Sequence, residues 1–298
     1  MEPIERARLS LEGLSVGDAF GERFFGIDEH VAPLIQRRAM PGATVWRYTD
    51  DTEMAVSLVE QLADSGAVDQ DALAKAFAHR MDPGRGYGAS THRILGHIKE
   101  GGGWRRASRG SFRGSGSFGN GAAMRAAPLG AFFADDLERC THEARLSAEI
   151  THAHEEGIAG AIAVAVAAAT AWACHGSKLP LGREWLRRVR DVVPGGRVRA
   201  GIDEAIGLPA STRTRAAARA LGNGEGIMAS DTVPFCLWTA SWYSHDFVEA
   251  MWQTVSALGD RDTTCAIVGG IVSLQVGDEG IPAGWREARE PLPTPGEA

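Results

Sequence analysis

Cysteine is scarce in this 298-residue chain, and its placement excludes a common structural use of the residue. The four cysteines, Cys140, Cys174, Cys236 and Cys265, lie far apart, and no C-x-x-C pair occurs. A structural zinc site, which ordinarily needs closely spaced thiolates, is therefore not expected. Isolated thiols are typical of buried free cysteines in a reducing compartment, so we predict a cytoplasmic protein.

Positive charge and aromatic residues are also in short supply. Lysine and arginine number 31 against 38 aspartates and glutamates, which gives a net charge of −7, and aromatics make up only 7%. A broad surface for DNA or RNA would need clustered basic residues, so we expect no such surface. An anionic ligand would instead need local compensation from metal ions, backbone N–H groups or a few placed arginines.

Long hydrophobic runs are nearly absent. The N-terminus, MEPIERARLSLEGL, has no signal-peptide core, and the longest apolar run, GIAGAIAVAVAAATAWA, has 17 residues and is rich in alanine. That length is marginal for a membrane span. We therefore predict a buried helix at the centre of the fold and no membrane partner.

Helical periodicity is present along almost the whole chain. We find no alternating strand pattern, no internal repeat and no composition shift that would mark a linker. The sequence therefore predicts one all-α domain over residues 1–290, followed by a Pro-rich mobile tail at 291–298. The predicted helices are 9–25, 51–63, 71–81, 90–99, 122–134, 137–151, 155–175, 199–206, 213–221, 232–244, 246–258 and 263–275.

Glycine is placed where close approach or irregular backbone is expected. Gly13, Gly17 and Gly21 recur every four residues in the first predicted helix, so they line one face on which another backbone can pack. The segment DPGRGYGAS predicts a tight turn. The 22 residues from Glu100 to Gly121 predict a long irregular loop, and such loops in compact domains are usually functional or disordered.

Two acidic motifs stand immediately before apolar helices and contain more carboxylates than helix capping requires. One carboxylate per helix start is an ordinary N-cap, which leaves the second member of each pair unexplained. Clustered aspartates would raise each other's pKa values unless cations neutralised them. Hard dications prefer oxygen ligands, so we hypothesise that the motifs meet around two Mg²⁺ or Mn²⁺ ions. The motifs are TDDT, with Thr49, Asp50 and Asp51, and GDRDTT, with Asp260, Asp262 and Thr263.

These motifs resemble those of the ADP-ribosylglycohydrolase family, which includes the dinitrogenase-reductase-activating glycohydrolases. The order and spacing match from about Arg8 to Trp285, through the further segments GLSVGDAFGERF, RGYGAST, GNGAAMRAAPLG, THAHEEGIAGA and DTVPFCLW. The resemblance implies a compact, single-domain orthogonal helical bundle with a binuclear Mg²⁺ or Mn²⁺ centre. The implied metal ligands are Thr49, Asp50, Asp51, Asp260, Asp262 and Thr263.

The resemblance also implies how the site is used. Asp262 would bridge the metals, and Asp50, Asp51 and Asp262 would be catalytic. The segment from Gly86 through Tyr87 and Gly88 to Ser90 resembles a loop that closes on the diphosphate and distal ribose. The implied further substrate contacts are Phe112 on the adenine, the second loop of Gly116, Ser117, Phe118 and Gly119, and His152 beside the nucleotide.

Several of these residues have plainer interpretations. Phe112 and Phe118 would equally suit a core, His152 a structural hydrogen bond, and Asn120 and Arg125 the bracing of a loop. One departure from the family is visible: Phe25 stands where some relatives place a glutamate. Glu22, Asp28 or Glu29 are candidate substitutes, and Asp18, on the same helix face as Glu22, is a candidate partner of the metal ligands.

We therefore predict a metal-dependent hydrolase that cleaves the C1″ glycosidic bond of ADP-ribosylated substrates. The modified group would be a protein side chain such as arginine, serine or threonine. Two alternatives remain open: a hydrolase of small conjugates such as ADP-ribose 1″-phosphate, and a non-catalytic ADP-ribose-binding relative.

Overall fold

The computed structural model describes residues 1–42 and 45–293, and it confirms an all-α fold. The described part contains sixteen α-helices, two short 3₁₀ helices and two isolated β-bridges, and no strand. The helices are α1 Pro3–Glu22, α2 Asp28–Gln36, α3 Asp50–Ser65, α4 Gln70–Arg80, α5 Ala89–Lys99, α6 Trp104–Gly114, α7 Ala127–Phe132, α8 Leu137–Glu149, α9 Glu155–Trp172, α10 Gly182–Val192, α11 Arg197–Gly207, α12 Thr214–Leu221, α13 Ala229–Tyr243, α14 Phe247–Val255, α15 Arg261–Val276 and α16 Ala283–Ala288.

Helix α1 packs closely along α15, and glycine residues make this close approach possible. The predicted glycine face of α1 packs on α15: a Cβ built on Gly17 would lie 2.2 Å from the Cys265 carbonyl oxygen. A Cβ on Gly13 would lie 2.4 Å from the Gly269 carbonyl oxygen, and one on Gly21 would lie 2.2 Å from the Arg261 carbonyl oxygen. No side chain fits between the two backbones. The four-residue glycine spacing therefore fixes how deeply α1 seats on α15.

The Ala-rich run forms α9, which lies in the core. It packs against α7, α8, α10, α13 and α15. By length and composition α9 would suffice to cross a membrane, but 78% of its residues are buried inside the fold. Alanine side chains are small enough for helices to pack on α9 from several directions. The sequence prediction of a central buried helix is confirmed.

The prediction of an irregular loop from Glu100 to Gly121 is wrong over its middle, where α6 forms. The indole Nε1 of the buried Trp104 donates to Asp71 Oδ1 at 2.6 Å, and Ser108 Oγ donates to the Glu149 carbonyl oxygen at 2.7 Å. These two contacts hold one face of α6 against the neighbouring helices α4 and α8. The arginines of the segment also have high helix propensity, so a helix forms here. The helical backbone breaks at its end, where Phe112 and Arg113 have φ values of 51° and 61°.

Four other helices differ from the sequence prediction. α2, α10 and α16 are not among the predicted helices. The single helix expected over 122–134 is reduced to α7, because the Arg125 side chain turns back and donates to the Gly121 carbonyl oxygen at 2.6 Å. At the C-terminus, Leu292 packs against the core, and residues 294–298 of the predicted mobile tail lie outside the described residues. The boundary at residue 290 remains a prediction.

We expect Gly17→Ala to lower the free energy of unfolding by about 1–3 kcal/mol, the usual effect of overpacking a close contact. The matched control is Gly96→Ala in α5, where an added Cβ meets nothing within 4 Å. Alanine there should leave stability unchanged or raise it by up to about 1 kcal/mol. Urea unfolding followed by circular dichroism measures both. Equal stability of the two variants would contradict the close packing of α1 on α15.

Candidate functional site

A cavity of about 360 Å³ lies where several helix N-termini converge, and it gathers most of the predicted site residues. Its walls come from the starts of α3, α5 and α15 and from the segment before α7. His152, shortly before α9, and the two residues Gly226 and Ile227, shortly before α13, also contribute. The predicted residues that line it are Asp50, Asp51, Gly86, Gly88, Ser90, Phe112, Ser117, Phe118, Gly119, His152, Asp260, Asp262 and Thr263. The two acidic motifs, about 200 residues apart in sequence, therefore meet.

Asp18 of α1 holds the first acidic motif in place. Its side chain is fully buried, and its two carboxylate oxygens accept hydrogen bonds from the N–H and hydroxyl groups of both Thr49 and Thr52. The Thr49 hydroxyl also lies 3.0 Å from Asp51 Oδ2. Because α1 is packed on α15, this cluster places the start of α3 beside the start of α15. Asp18 therefore lies directly behind the acidic motif, and its suggested role as a partner of metal ligands stays a prediction.

The second acidic motif is held from the other side by Asn120. Its side-chain Nδ2 donates to Asp260 Oδ2 at 2.7 Å and to the Thr232 hydroxyl at 3.0 Å. The Thr263 N–H donates to Asp262 Oδ1 at 2.8 Å. Asn120 thus braces the loop, as expected, and also lines the cavity.

The four aspartates are electrostatically coupled. Burial, followed by the charges of Asp18 and Asp260, raises the pKa of Asp50 to about 8. Burial also raises the pKa of Asp51 and Asp262 well above the usual range, and nearby carboxylates add to both effects. For Asp260, burial raises the pKa against the opposing hydrogen bonds of its neighbours. Desolvated like charges this close cannot all be ionised without compensation.

The chemistry of this donor set fits hard divalent cations. The cavity lining offers four carboxylates and no lysine or arginine among the described residues. Asp51 Oδ1 is buried and has no hydrogen-bond partner in the described part of the chain. A buried carboxylate oxygen of this kind needs a cation or a hydrogen-bond donor. Still, within residues 1–42 and 45–293 no three His, Cys, Asp or Glu side chains are arranged as a formed metal site. Metal binding therefore remains a proposal.

The glycine-rich turn places free backbone N–H groups at the cavity. Gly86 has a φ of 90°, which favours glycine, and its Cβ position lies 3.7 Å from Asp50 Oδ1. Gly88 is the N-cap of α5 and provides no side-chain cap, and Ala89, Ser90 and Thr91 of the first turn line the cavity. An uncapped helix N-terminus presents N–H groups and the positive end of the helix dipole, which together favour an anion such as phosphate.

Phe112 and Phe118 form an aromatic part of the cavity wall. Their ring centroids are 5.2 Å apart, and Phe118 also packs edge-on to His154 at 5.6 Å. The Phe112 side chain is 48% exposed, so it is not a core residue. An exposed ring on a cavity wall offers a surface on which a planar ligand group can stack.

His152 is buried and electrically neutral. Burial, with a smaller contribution from the nearby Arg125 guanidinium, lowers the pKa of His152 to about 3. Its Nδ1 lies 2.8 Å from the Thr151 hydroxyl, which also accepts from Arg125 at 3.1 Å. Arg125 donates further to the Gly121 and Ser147 carbonyl oxygens. Arg125 is thus a brace, as expected, and His152 can position a ligand but cannot supply a proton near neutral pH.

Three predicted residues support the cavity without lining it. Tyr87 turns inward and donates its hydroxyl proton to Glu53 Oε2 at 2.7 Å, one helical turn beyond Asp50. Gly116 packs so closely on the segment before α9 that a Cβ would lie 2.6 Å from the His154 backbone nitrogen. Thr49 lies behind Asp51, between it and Asp18. None of Glu22, Asp28 and Glu29 is among the described residues that line the cavity.

The cavity also contains residues that sequence reasoning missed, namely Ala89, Thr91, Gly121, Met124, Gly226 and Ile227. Ile227 is the most informative, since its side chain is 62% exposed and its φ is 54°. A β-branched residue in this conformation is uncommon. The surrounding segment NGEGIM offers two glycines as a signal for irregular backbone but no signal for its position in the fold.

Comparison with known proteins agrees with this arrangement. The sequence profile of the ADP-ribosylglycohydrolase family matches residues 1–295. ADP-ribosylhydrolase ARH3 of Homo sapiens is 28% identical over 96% of this chain and 90% of its own length. ADP-ribosylarginine hydrolase Tri1 of Pseudomonas putida is 26% identical over 96% of this chain and 74% of its own. A solved ADP-ribosylglycohydrolase-related protein complex has the same fold, with a TM-score of 0.66 at 24% identity over 95% of this chain and 92% of that one.

Asp18→Asn should lower the free energy of unfolding by about 2 kcal/mol or more, because an amide N–H₂ would replace an oxygen that accepts hydrogen bonds at the start of α3. Urea unfolding measures the loss. Asp64→Asn, an exposed change near the end of α3, is the control and should stay within about 0.5 kcal/mol of the wild type. Indistinguishable stabilities for the two variants would rule out the anchoring role of Asp18.

His152 should make the protein sensitive to acid. Its pKa is about 3 in the folded state against 6.5 for an unperturbed histidine, so the unfolded state binds the proton first. The stabilising contribution of the neutral ring is complete above about pH 6.5 and is lost as the pH falls towards 3. Between pH 7 and pH 5 this amounts to about 2 kcal/mol.

In His152→Gln the stability difference between pH 7 and pH 5 should shrink by about that amount. Chemical unfolding at the two pH values measures it. His92→Gln, at an exposed position, should retain the wild-type difference. A His152→Gln profile parallel to that of the wild type would show that the ring is not buried in neutral form.

Proposed function

The chain belongs to the ADP-ribosylglycohydrolase family, and from that premise we propose that it hydrolyses the C1″ glycosidic bond of ADP-ribosylated substrates and releases ADP-ribose. Hydrolysis of ADP-ribosyl linkages is the general activity of this family. The observation that carries the proposal for this chain is the meeting of TDDT and GDRDTT in one cavity with a glycine-rich turn and an aromatic wall. The acceptor group and the metal are the specific parts of the proposal.

The layout of the cavity suggests how ADP-ribose would bind. Its diphosphate suits the uncapped N-terminus of α5, where Gly88 and Ser90 leave backbone N–H groups free to donate. Its adenine suits the exposed ring of Phe112. The distal ribose would then face Asp50, Asp51 and Asp262, with its C1″ bond towards the open side of the cavity.

Divalent cations complete the proposal. Two ions, Mg²⁺ or Mn²⁺, would be held by Asp50, Asp51, Asp260, Asp262 and Thr263 in the cavity lining. The resemblance implies Thr49 as a further ligand, although its hydroxyl lies behind Asp51 in this structure. Such ions, when bound, lower the pKa of a coordinated water and polarise the substrate oxygens that they contact. The unpartnered Asp51 Oδ1 and the absence of lysine and arginine from the described lining support this assignment.

The protein's own groups would carry the remaining steps. The ribose C1″ develops positive charge as the bond breaks, and neighbouring carboxylates favour such an oxocarbenium-like centre. Asp50 or Asp51 would orient the attacking water and accept its proton. Asn120 keeps Asp260 in place, and the Asp18–Thr49 contact keeps Asp51 in place. His152, which is neutral, would position ribose or phosphate.

The setting of the reaction is also a proposal. All four cysteines are free thiols, which supports a reducing, cytoplasmic location. The partner would be an ADP-ribosylated protein or a small ADP-ribose conjugate. Membrane and broad nucleic-acid partners are not proposed, in keeping with the buried α9 and the net charge of −7.

Turnover should require the divalent ions and the carboxylates. After chelation, hydrolysis of ADP-ribosyl-arginine protein should cease and return on titration with Mg²⁺ or Mn²⁺. Asp51→Asn and Asp262→Asn should each reduce kcat/KM by about 100-fold or more. The exposed Asp64→Asn should match the wild type. Circular dichroism checks that each variant is folded.

The same assay decides the acceptor when arginine-, serine- and threonine-linked ADP-ribose and ADP-ribose 1″-phosphate are compared. Full turnover by chelated protein would reject the metal-dependent mechanism. Binding of ADP-ribose without turnover of any conjugate, in either metal, would instead indicate a non-catalytic relative.

A further inference from the structure

Basic residues are concentrated in one short part of this acidic chain. Residues 92–113, in α5 and α6, contain six lysines and arginines and one acidic residue, whereas the whole chain has a net charge of −7. Arg105 pairs with Asp71. Arg93, Arg106, Arg109 and Arg113 are exposed, and none forms an ion pair within the described residues. Local positive charge of this kind attracts anions.

Two of these arginines line a second cavity next to the first. It has a volume of about 320 Å³, and its lining consists of Arg93, Ile94, Ala107, Gly110, Ser111, Phe112 and Arg113. No acidic residue is among them. Phe112 belongs to both cavities, and the hydroxyls of Ser90 and Ser111, one from each cavity, lie 3.3 Å apart. We call this second space the arginine pocket.

An unusual backbone separates the two cavities. Phe112 and Arg113 are consecutive non-glycine residues in the left-handed region, with φ values of 51° and 61°. Such pairs are uncommon, because each side chain is crowded against its own backbone. At this break in α6, Phe112 reaches the main cavity and Arg113 lines the arginine pocket. Strained backbone of this kind is concentrated at binding sites.

We propose that the arginine pocket binds a phosphate group carried on the adenosine ribose of the ligand. The inference rests on the proposed function, in which adenine stacks on Phe112. A phosphate on the ribose of that adenosine would lie close to the same ring, within reach of Arg93 and Arg113. Guanidinium groups bind phosphate through paired, charge-assisted hydrogen bonds. The ligand class is therefore ADP-ribose with an additional phosphate, such as the 2′-phosphate.

Calorimetric titration with ADP-ribose and with ADP-ribose 2′-phosphate, in Mg²⁺ at fixed ionic strength, tests the proposal. The wild type should bind the phosphorylated ligand at least about tenfold more tightly, the effect of one charge-assisted hydrogen bond. The double variant Arg93→Gln/Arg113→Gln should bring this ratio close to one, while its affinity for ADP-ribose stays within about twofold of the wild type.

The double variant Arg106→Gln/Arg109→Gln is the matched control, because it removes the same charge from the same basic region but not from the pocket. It should keep the wild-type ratio. Equal affinities of the wild type for the two ligands, or an equal loss in both double variants, would overturn the pocket and leave the proposed function intact. Failure of both ligands to bind would overturn both.

Discussion

The buried contact of α1 with α3 and α15 is the constraint on which the site depends. Glycines on one face of α1 allow its backbone to touch that of α15, and Asp18, on the same helix, accepts hydrogen bonds from the N–H and hydroxyl groups of both Thr49 and Thr52. One helix therefore aligns the starts of two others that are far apart in sequence. Larger side chains on that face of α1 would push it away from α15 and would move Asp18 with it.

That alignment concentrates negative charge on side chains that are largely buried. Burial raises the pKa of Asp18 to about 6 and that of Asp50 to about 8, and nearby carboxylates reinforce the shift for Asp51 and Asp262. The fold tolerates this because Asn120 and the threonines donate hydrogen bonds and because helix N-termini face the cluster. The negative charge that these donors leave uncompensated is the reason for proposing divalent cations at this site.

Much of the fold and site could be predicted from local patterns. The glycine spacing and the Ala-rich run are local patterns, and the structure contains the predicted close helix contact and the predicted buried helix. Both acidic motifs stand at helix starts, as their local sequence indicates. The errors occur where long-range contacts decide. The buried Trp104 indole donates to Asp71 and stabilises a helix where the sequence predicts a loop. The Arg125 side chain donates to the Gly121 carbonyl oxygen in a segment where the sequence predicts a helix and the structure has a turn. The packed turn also decides that the Tyr87 hydroxyl donates to Glu53, while the predicted contact of Tyr87 with substrate stays a prediction.

The sequence by itself determined the helical class, the family and the set of candidate carboxylates. Periodicity, composition and motif spacing depend only on the order of the residues, so they can be read without the fold. The tertiary structure alone decided which groups share a space. It placed Asp18 behind Thr49, Ile227 in the cavity wall and Phe112 between two cavities of opposite electrostatic character. The reason is physical: hydrogen bonds, desolvation and charge coupling act over a few ångströms in space, whatever the distance between the residues in sequence.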